Sequence, residues 1–149
     1  MLKRALEGVR VADFTHVTAG PISTKFIAIM GAEVIKLETA SRAERRASNH
    51  NVGKLSCTLN LSQPPGLALA KELIKKSDIV IDNFAYGVME RLGLGYEALR
   101  EIKPDIIVVS ASGLGKTGPY RGHVAYGKIV AMYSGIDSIT GYEEDGRPR

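Results

Sequence analysis

Short apolar runs rich in β-branched residues recur along this chain, and they constrain its fold more than any other feature. Residues 9–14 read VRVADF, 32–37 read AEVIKL, 79–81 read IVI and 105–110 read DIIVVS. The run 79–81 is apolar throughout, as in a strand of a parallel sheet covered on both faces, 105–110 reads as a further buried strand, and helices must then connect such strands. The intervening segments comply. Ala19-Gly20-Pro21 turns the chain after the first run, and proline near a helix start suits residues 22–30, which Gly31 stops. Residues 55–61 (LSCTLNL) alternate as a strand does. Gln63-Pro64-Pro65-Gly66 then opens a helix with Leu67, Ala70, Leu73 and Ile74 on one face, and Ser77-Asp78 closes it. Two short helices, 88–92 and 96–102, are divided by Gly93-Leu94-Gly95, and 126–134 is a further helical segment. Residues 38–53 form a polar loop, and 143–149 a turn or hairpin tip.

The expected class is therefore α/β, a Rossmann-like doubly wound and mainly parallel sheet, which binds ligands outside the carboxyl ends of its strands. Its 149 residues suffice for one domain. No apolar run approaches the roughly 18 residues of a membrane span, and Met1-Leu2-Lys3-Arg4 leads into a strand rather than a signal peptide. The single cysteine, Cys57, allows no internal disulfide and fits a reducing, cytoplasmic compartment. Net charge is +4, with much of the surplus at Arg42, Arg45 and Arg46 and at the C-terminal end. A solvated loop accounts for that surplus, and a phosphate-bearing ligand is the alternative. Nucleic acid is disfavoured, because no long basic helix or aromatic-plus-basic sheet pattern is present.

The stretch SGLGKTGPY, residues 112–120, imitates two nucleotide motifs at once. A P-loop needs a glycine five positions before the glycine of Gly-Lys-Thr, and that position is Ser110. It also needs a helix to begin at once, which Gly118-Pro119 prevents. The Gly113-x-Gly115-x-x-Gly118 fingerprint fails likewise, and it follows a late strand instead of the first. His16, His50 and His123 are far apart and without metal-ligand spacing, Cys57 is a small core residue, and no Gly-x-Ser-x-Gly elbow occurs. From residues alone the chain is a ligand-binding α/β domain.

Local signatures go further. LEGVRVADFTHVTAGP, MGAEVIKLE and DNFAYGVMERLGLGYEALREIKPDIIVVSASGLGKTGPY occur in order and together resemble the family III CoA-transferases, the CaiB/BaiF family. That family includes formyl-CoA and carnitine CoA-transferases and, on the same fold, α-methylacyl-CoA racemase. The resemblance runs from about Leu6 to about Gly141 and implies that residues 1–149 are the N-terminal part of the large CoA-binding domain. A second domain and a returning C-terminal segment would lie outside them. It also implies an interlocked homodimer, with coenzyme A or acyl-CoA as substrate, a carboxylic acid as acceptor and no permanent cofactor. The residues themselves lead one to expect no metal, and neither nucleic acid nor membrane as partner.

Matched position by position, the resemblance places Val17, Thr18 and Ala19 where the first loop touches CoA. Thr39 stands where many members carry an arginine, for which Arg42, Arg45 or Arg46 are the substitutes at hand. Leu59, Asn60, Leu61 and Ser62 match the adenine side, Asn83 and Phe84 the pantetheine channel, and Arg91 a cation near the phosphates. His123, Val124, Ala125 and Tyr126 match a further CoA-contacting stretch, and the glycines of 113–118 permit tight turns and close backbone approach. The transferase nucleophile, an aspartate, falls beyond Arg149, and neither Asp137 nor Asp145 matches it. No catalytic residue is therefore assigned, and residues 1–149 by themselves are expected to be inactive. The racemases' Gly-His-Asp run aligns with Ala125-Tyr126-Gly127, which favours a transferase over a racemase. The remaining alternative is a non-catalytic CoA- or nucleotide-binding fragment acting with a partner chain.

Overall fold

The structure is a computed structural model that describes residues 3–39 and 49–141. Five strands form one wholly parallel sheet in the order β3-β2-β1-β4-β5. These are β1 (Arg10–Asp13), β2 (Glu33–Glu38), β3 (Leu55–Thr58), β4 (Ile79–Asp82) and β5 (Ile107–Ser110). In register, Val11 of β1 faces Val34 of β2 on one side and Ile79 of β4 on the other. The chain thus builds outward from β1 through β2 to β3, then returns to β1's other edge and builds outward again. That reversal makes the fold a Rossmann-like, doubly wound α/β sheet.

Because side chains alternate across a strand, the two faces carry separate cores. Val11, Val34 and Ile81 pack with Ala28 and Ala32 beneath α1 (Ala19–Ile29). Ala12, Phe14, Leu37 and Val80 pack on the opposite face with Ala70, Ile74, Met89, Leu94 and Leu99. That face is covered by α2 (Pro64–Lys75), α3 (Val88–Arg91) and α4 (Tyr96–Ile102). Removing a side chain such as Ile74 or Leu99 from water contributes about 1.5–3 kcal/mol each. The chain ends in α5 (Gly127–Tyr133) and α6 (Ile136–Ile139), neither of which buries a residue. No described helix is long and apolar enough to cross a membrane.

Several boundaries differ from the sequence reading for physical reasons. Helix α1 begins at Ala19 rather than residue 22, because Pro21 is tolerated within the first turn, where backbone N–H groups lack intrahelical partners anyway. Strand β3 stops at Thr58, because Asn60 turns the chain: its side chain accepts the Ser62 N–H at 3.0 Å and its carbonyl accepts the Gln63 N–H at 3.1 Å. Strand β5 is not buried on both faces, since Ile107 is 57% exposed and Val109 43%, while Val108 packs against the core beneath α2 and α4. Of the loop 38–53, Asn49–Asn51 is a 3-10 turn, and residues 40–48 lie outside the described residues, as does the turn expected at 143–149.

Candidate functional site

The carboxyl ends of β1 and β4 flank the point where the sheet's winding reverses, and each strand closes on a buried aspartate. Asp13 Oδ1 accepts the Thr15 N–H at 2.9 Å and the Thr15 hydroxyl at 2.5 Å. Asp82 Oδ1 accepts the Phe84 N–H at 3.1 Å. A carboxylate bonded to the N–H two residues on forms an Asx turn, which bends the chain out of the sheet. Asn83 then ties the two loops together. Its Oδ1 accepts the His16 N–H at 2.7 Å, and its Nδ2 donates to the His16 carbonyl at 2.8 Å. The His16 and Phe84 rings lie 5.1 Å apart.

A cleft of about 310 Å³ opens beside them. Phe14, Leu37, Leu59, Leu61 and Phe84 give it apolar walls, and His16, Glu38 and Thr39 give it polar groups. Mostly apolar lining with a few polar groups is the usual make-up of a small-molecule site. The ends of β1, β2, β3 and β4 contribute, so the cleft spans four of the five strands at the sheet's carboxyl edge.

Of the residues singled out from sequence, Thr39, Leu59 and Phe84 meet in this cleft, with Leu61 beside them. Asn83 stands directly behind, its amide engaged by His16. Asn60 and Ser62 are exposed next to the cleft-lining Leu59 and Leu61. Val17, Thr18 and Ala19 are exposed at the start of α1, where Val17 adopts φ 65, a left-handed conformation uncommon for a β-branched residue. Arg91 is exposed in the last turn of α3. His123, Val124 and Tyr126 are exposed on the segment after β5, while Ala125 packs on Gly113, and none of the four lines the cleft. Asp137 pairs with Lys128 at 3.0 Å; Arg42, Arg45, Arg46 and Asp145 lie outside the described residues.

The 112–120 stretch is built as a strap and not as a phosphate loop. Gly115 and Gly118 have φ near +80°, and a Cβ on Gly113 would lie 2.5 Å from that of Ala125. No helix begins until Gly127. Lys116 Nζ points back to Asp82 Oδ2 at 3.6 Å and to Glu90 at 4.0 Å. The Ser110 hydroxyl donates to the same Asp82 oxygen at 2.5 Å.

Sequence reasoning missed a second buried cluster, beneath α1. Asp13, fully buried, lies 3.7 Å from Lys36 Nζ and 3.1 Å from Lys54 Nζ, and its Oδ2 accepts the Thr24 hydroxyl at 2.6 Å. Burial pushes the Asp13 carboxyl up, but Lys36, the Thr15 and Thr24 hydroxyls and Lys54 outweigh it and hold the group below the usual carboxylate range. Burial holds both lysines below the usual ammonium range, with Asp13 opposing it in each case. The signal available in advance was Lys36 itself, a charge inside the apolar run AEVIKL, which had to find a partner. Among the described residues, no group of three His, Cys, Asp or Glu side chains is placed to hold a metal.

The sequence profile of CoA-transferase family III matches residues 6–149, nearly the whole chain and every loop of this carboxyl edge. The chain belongs to that family. It is 38% identical to an acyl-CoA transferase of Fusarium pseudograminearum, over 97% of this chain and 36% of that protein. It is 37% identical to a formyl-CoA:oxalate CoA-transferase of Streptomyces coelicolor, over 99% of this chain and 39% of that protein. A CaiB/BaiF family protein from Brucella suis superposes with a TM-score of 0.89 at 30% identity, covering 99% of this chain and 43% of that one. The family III chain described here thus spans about two-fifths of the length of these relatives.

Proposed function

We propose that the whole protein is an acyl-CoA:carboxylate CoA-transferase, and that residues 1–149 supply the N-terminal part of its CoA-binding domain. The observation that carries this reading is the family match over residues 6–149, which takes in every strand-end loop around the cleft. The relatives named above as acyl-CoA and formyl-CoA:oxalate transferases support it. Thr39, Leu59 and Phe84, with Leu61, are proposed as cleft contacts to CoA, with Asn60 and Ser62 beside them. Val17, Thr18 and Ala19 are proposed at the start of α1, where the first turn holds no acidic side chain and the helix dipole favours phosphate. Asn83 acts by fixing the His16 backbone beside Phe84, while Arg91 and His123, Val124, Ala125 and Tyr126 lie further out as contacts for the rest of the ligand.

In the proposed reaction an aspartate carboxylate outside these residues attacks the thioester carbonyl and expels CoA thiolate, leaving a mixed anhydride. The thiolate attacks the aspartyl carbonyl, releasing the donor acid and forming an aspartyl-CoA thioester. The acceptor carboxylate then repeats both steps in reverse, and division into such steps lowers each barrier. The racemase alternative lacks its histidine, because Tyr126 stands at that position.

The test uses the full-length protein, an acyl-CoA and hydroxylamine, with mass spectrometry to locate the trapped group. The expected result is one derivatised aspartate, and CoA exchange onto an added carboxylate. Failure of the full-length protein to bind CoA, or exchange of the α-proton of a 2-methylacyl-CoA without CoA transfer, would overturn the assignment.

A further inference from the structure

The loop between β1 and α1 is held from below by two lysines that reach it from different parts of the chain. Lys36 comes from β2; its side chain is 4% exposed and donates to the Thr15 carbonyl while facing Asp13. Lys54 follows the Asn49–Asn51 turn; its side chain is 1% exposed. Its ammonium contacts Asp13 Oδ2 at 3.1 Å, the Pro21 carbonyl at 2.8 Å and Asn51 Oδ1 at 3.4 Å. The two cations thus grip carbonyls on either side of the loop, Thr15 just after β1 and Pro21 in the first turn of α1, and Asp13 between them accepts hydroxyls from Thr15 and Thr24. Inside this bracket sits Val17 at φ 65, a conformation that persists only where the surroundings impose it.

Ordinary helix-start devices do not supply that constraint. Thr18 makes no side-chain cap, and the first turn has no acidic residue. Asn83 fixes the peptides on either side of His16, and Gly20 presses the loop down, because a Cβ there would fall 2.4 Å from that of Thr15, but neither fixes a peptide on the α1 side of Val17. Nor does core stability by itself call for buried charge, since well-packed apolar groups of similar volume often do as well or better. What the cluster adds is direction on the α1 side: Lys54 grips the Pro21 carbonyl there, while Lys36 shares the Thr15–His16 peptide with Asn83.

We propose that Lys54 is a positioning residue, which works through Asp13 and the Pro21 carbonyl to hold the β1–α1 loop in the shape that receives the CoA thioester. The ligand in this statement rests on the transferase reading; the control of loop shape does not. Lys54 also makes the conformation of that loop depend on the segment around Asn51, which is distant in sequence from it.

The experiment compares full-length wild type with Lys54→Met, which keeps length and volume, and Lys54→Arg, which keeps charge. In Lys54→Met the KM for acyl-CoA should rise by about tenfold or more while kcat stays within about twofold, the split expected when ground-state placement of a substrate is lost. Amide hydrogen exchange at residues 16–20 should quicken by about tenfold without a matching change at the β4 and α2 core. Lys54→Arg should recover part of both effects. A folded Lys54→Met with unchanged KM and unchanged loop exchange overturns the proposal, as does a change spread evenly over the core. Should Lys54→Met fail to fold, Thr24→Val loosens Asp13 while retaining both lysines, and its KM and loop exchange should shift in the same sense by about threefold; no shift overturns the proposal. Wild-type CoA binding is measured first. Its absence removes the transferase reading, and loop exchange in the variants still decides the role of Lys54.

Discussion

Asn83 shows how much one side chain can do at a strand end. Its amide completes both the donor and the acceptor of the His16 backbone, so Asn83→Leu leaves two half-buried polar groups without those partners. The expected cost is about 1–3 kcal/mol, read as a lower urea midpoint. Asn83→Asp, which keeps the acceptor, should lose less. Asp13 gives a prediction in pH. Its carboxyl is held below the usual value of about 3.9 in the folded state, so its stabilising contribution is complete above that value and is lost as pH falls through the lower folded one. Lys36 and Lys54 act at the other end of the scale. Burial depresses both, so the folded state releases their protons before the unfolded chain does, and stability rises with pH between the folded value and about 10.4. Unfolding titrations should therefore show an acid-limb loss below about pH 4 that shrinks in Asp13→Asn.

At the scale of elements, the joint between β3 and α2 is the tightest. A Cβ on Gly66 would come within 2.1 Å of the Asn60 carbonyl oxygen, which is backbone and cannot step aside. Gly66→Ala should cost about 1–3 kcal/mol, seen as a lower thermal midpoint. The same scale shows what could be read from sequence. The strands β1, β2 and β4 were legible, because buried parallel strands leave apolar runs that little else in a short chain explains. The parallel, doubly wound class followed from the α/β alternation, whereas the strand order β3-β2-β1-β4-β5 emerged only from the structure. The exposure of Ile107 and Val109 was not legible, because an apolar run records what a strand could bury and not whether a helix arrives to cover it. Helix α6 was missed because four residues carry no period. At the site, Thr39, Leu59 and Phe84 were reached through family resemblance. The Lys116–Asp82 pair and the Lys36–Asp13–Lys54 cluster escaped because their partners lie far apart in the chain and meet only once the sheet exists.

On the scale of the whole molecule, the apolar side chains that face outward include Phe26, Ile29 and Met30 at the end of α1, Ile107 and Val109 on β5, and Met132, Tyr133, Ile136 and Ile139 in the last described helices. Exposed apolar area of this extent marks surface that something else covers. Residues 1–149 expressed alone should therefore self-associate and bind hydrophobic dyes, and light scattering should fall when Met132 and Ile139 are both changed to glutamate. A full-length protein that scatters as strongly as the fragment would contradict this. The placement of β1 at the centre of the sheet carries a further cost, in time. This strand leaves the ribosome before the other described strands, yet one of its two flanks has no mate until β4, beginning at Ile79, has been made. At ordinary rates of translation that interval is roughly 3–13 s. A nascent chain with an open, sticky flank for so long is a natural client for chaperones, and codon changes that slow synthesis between β2 and β4 should lower the soluble yield without altering a single amino acid.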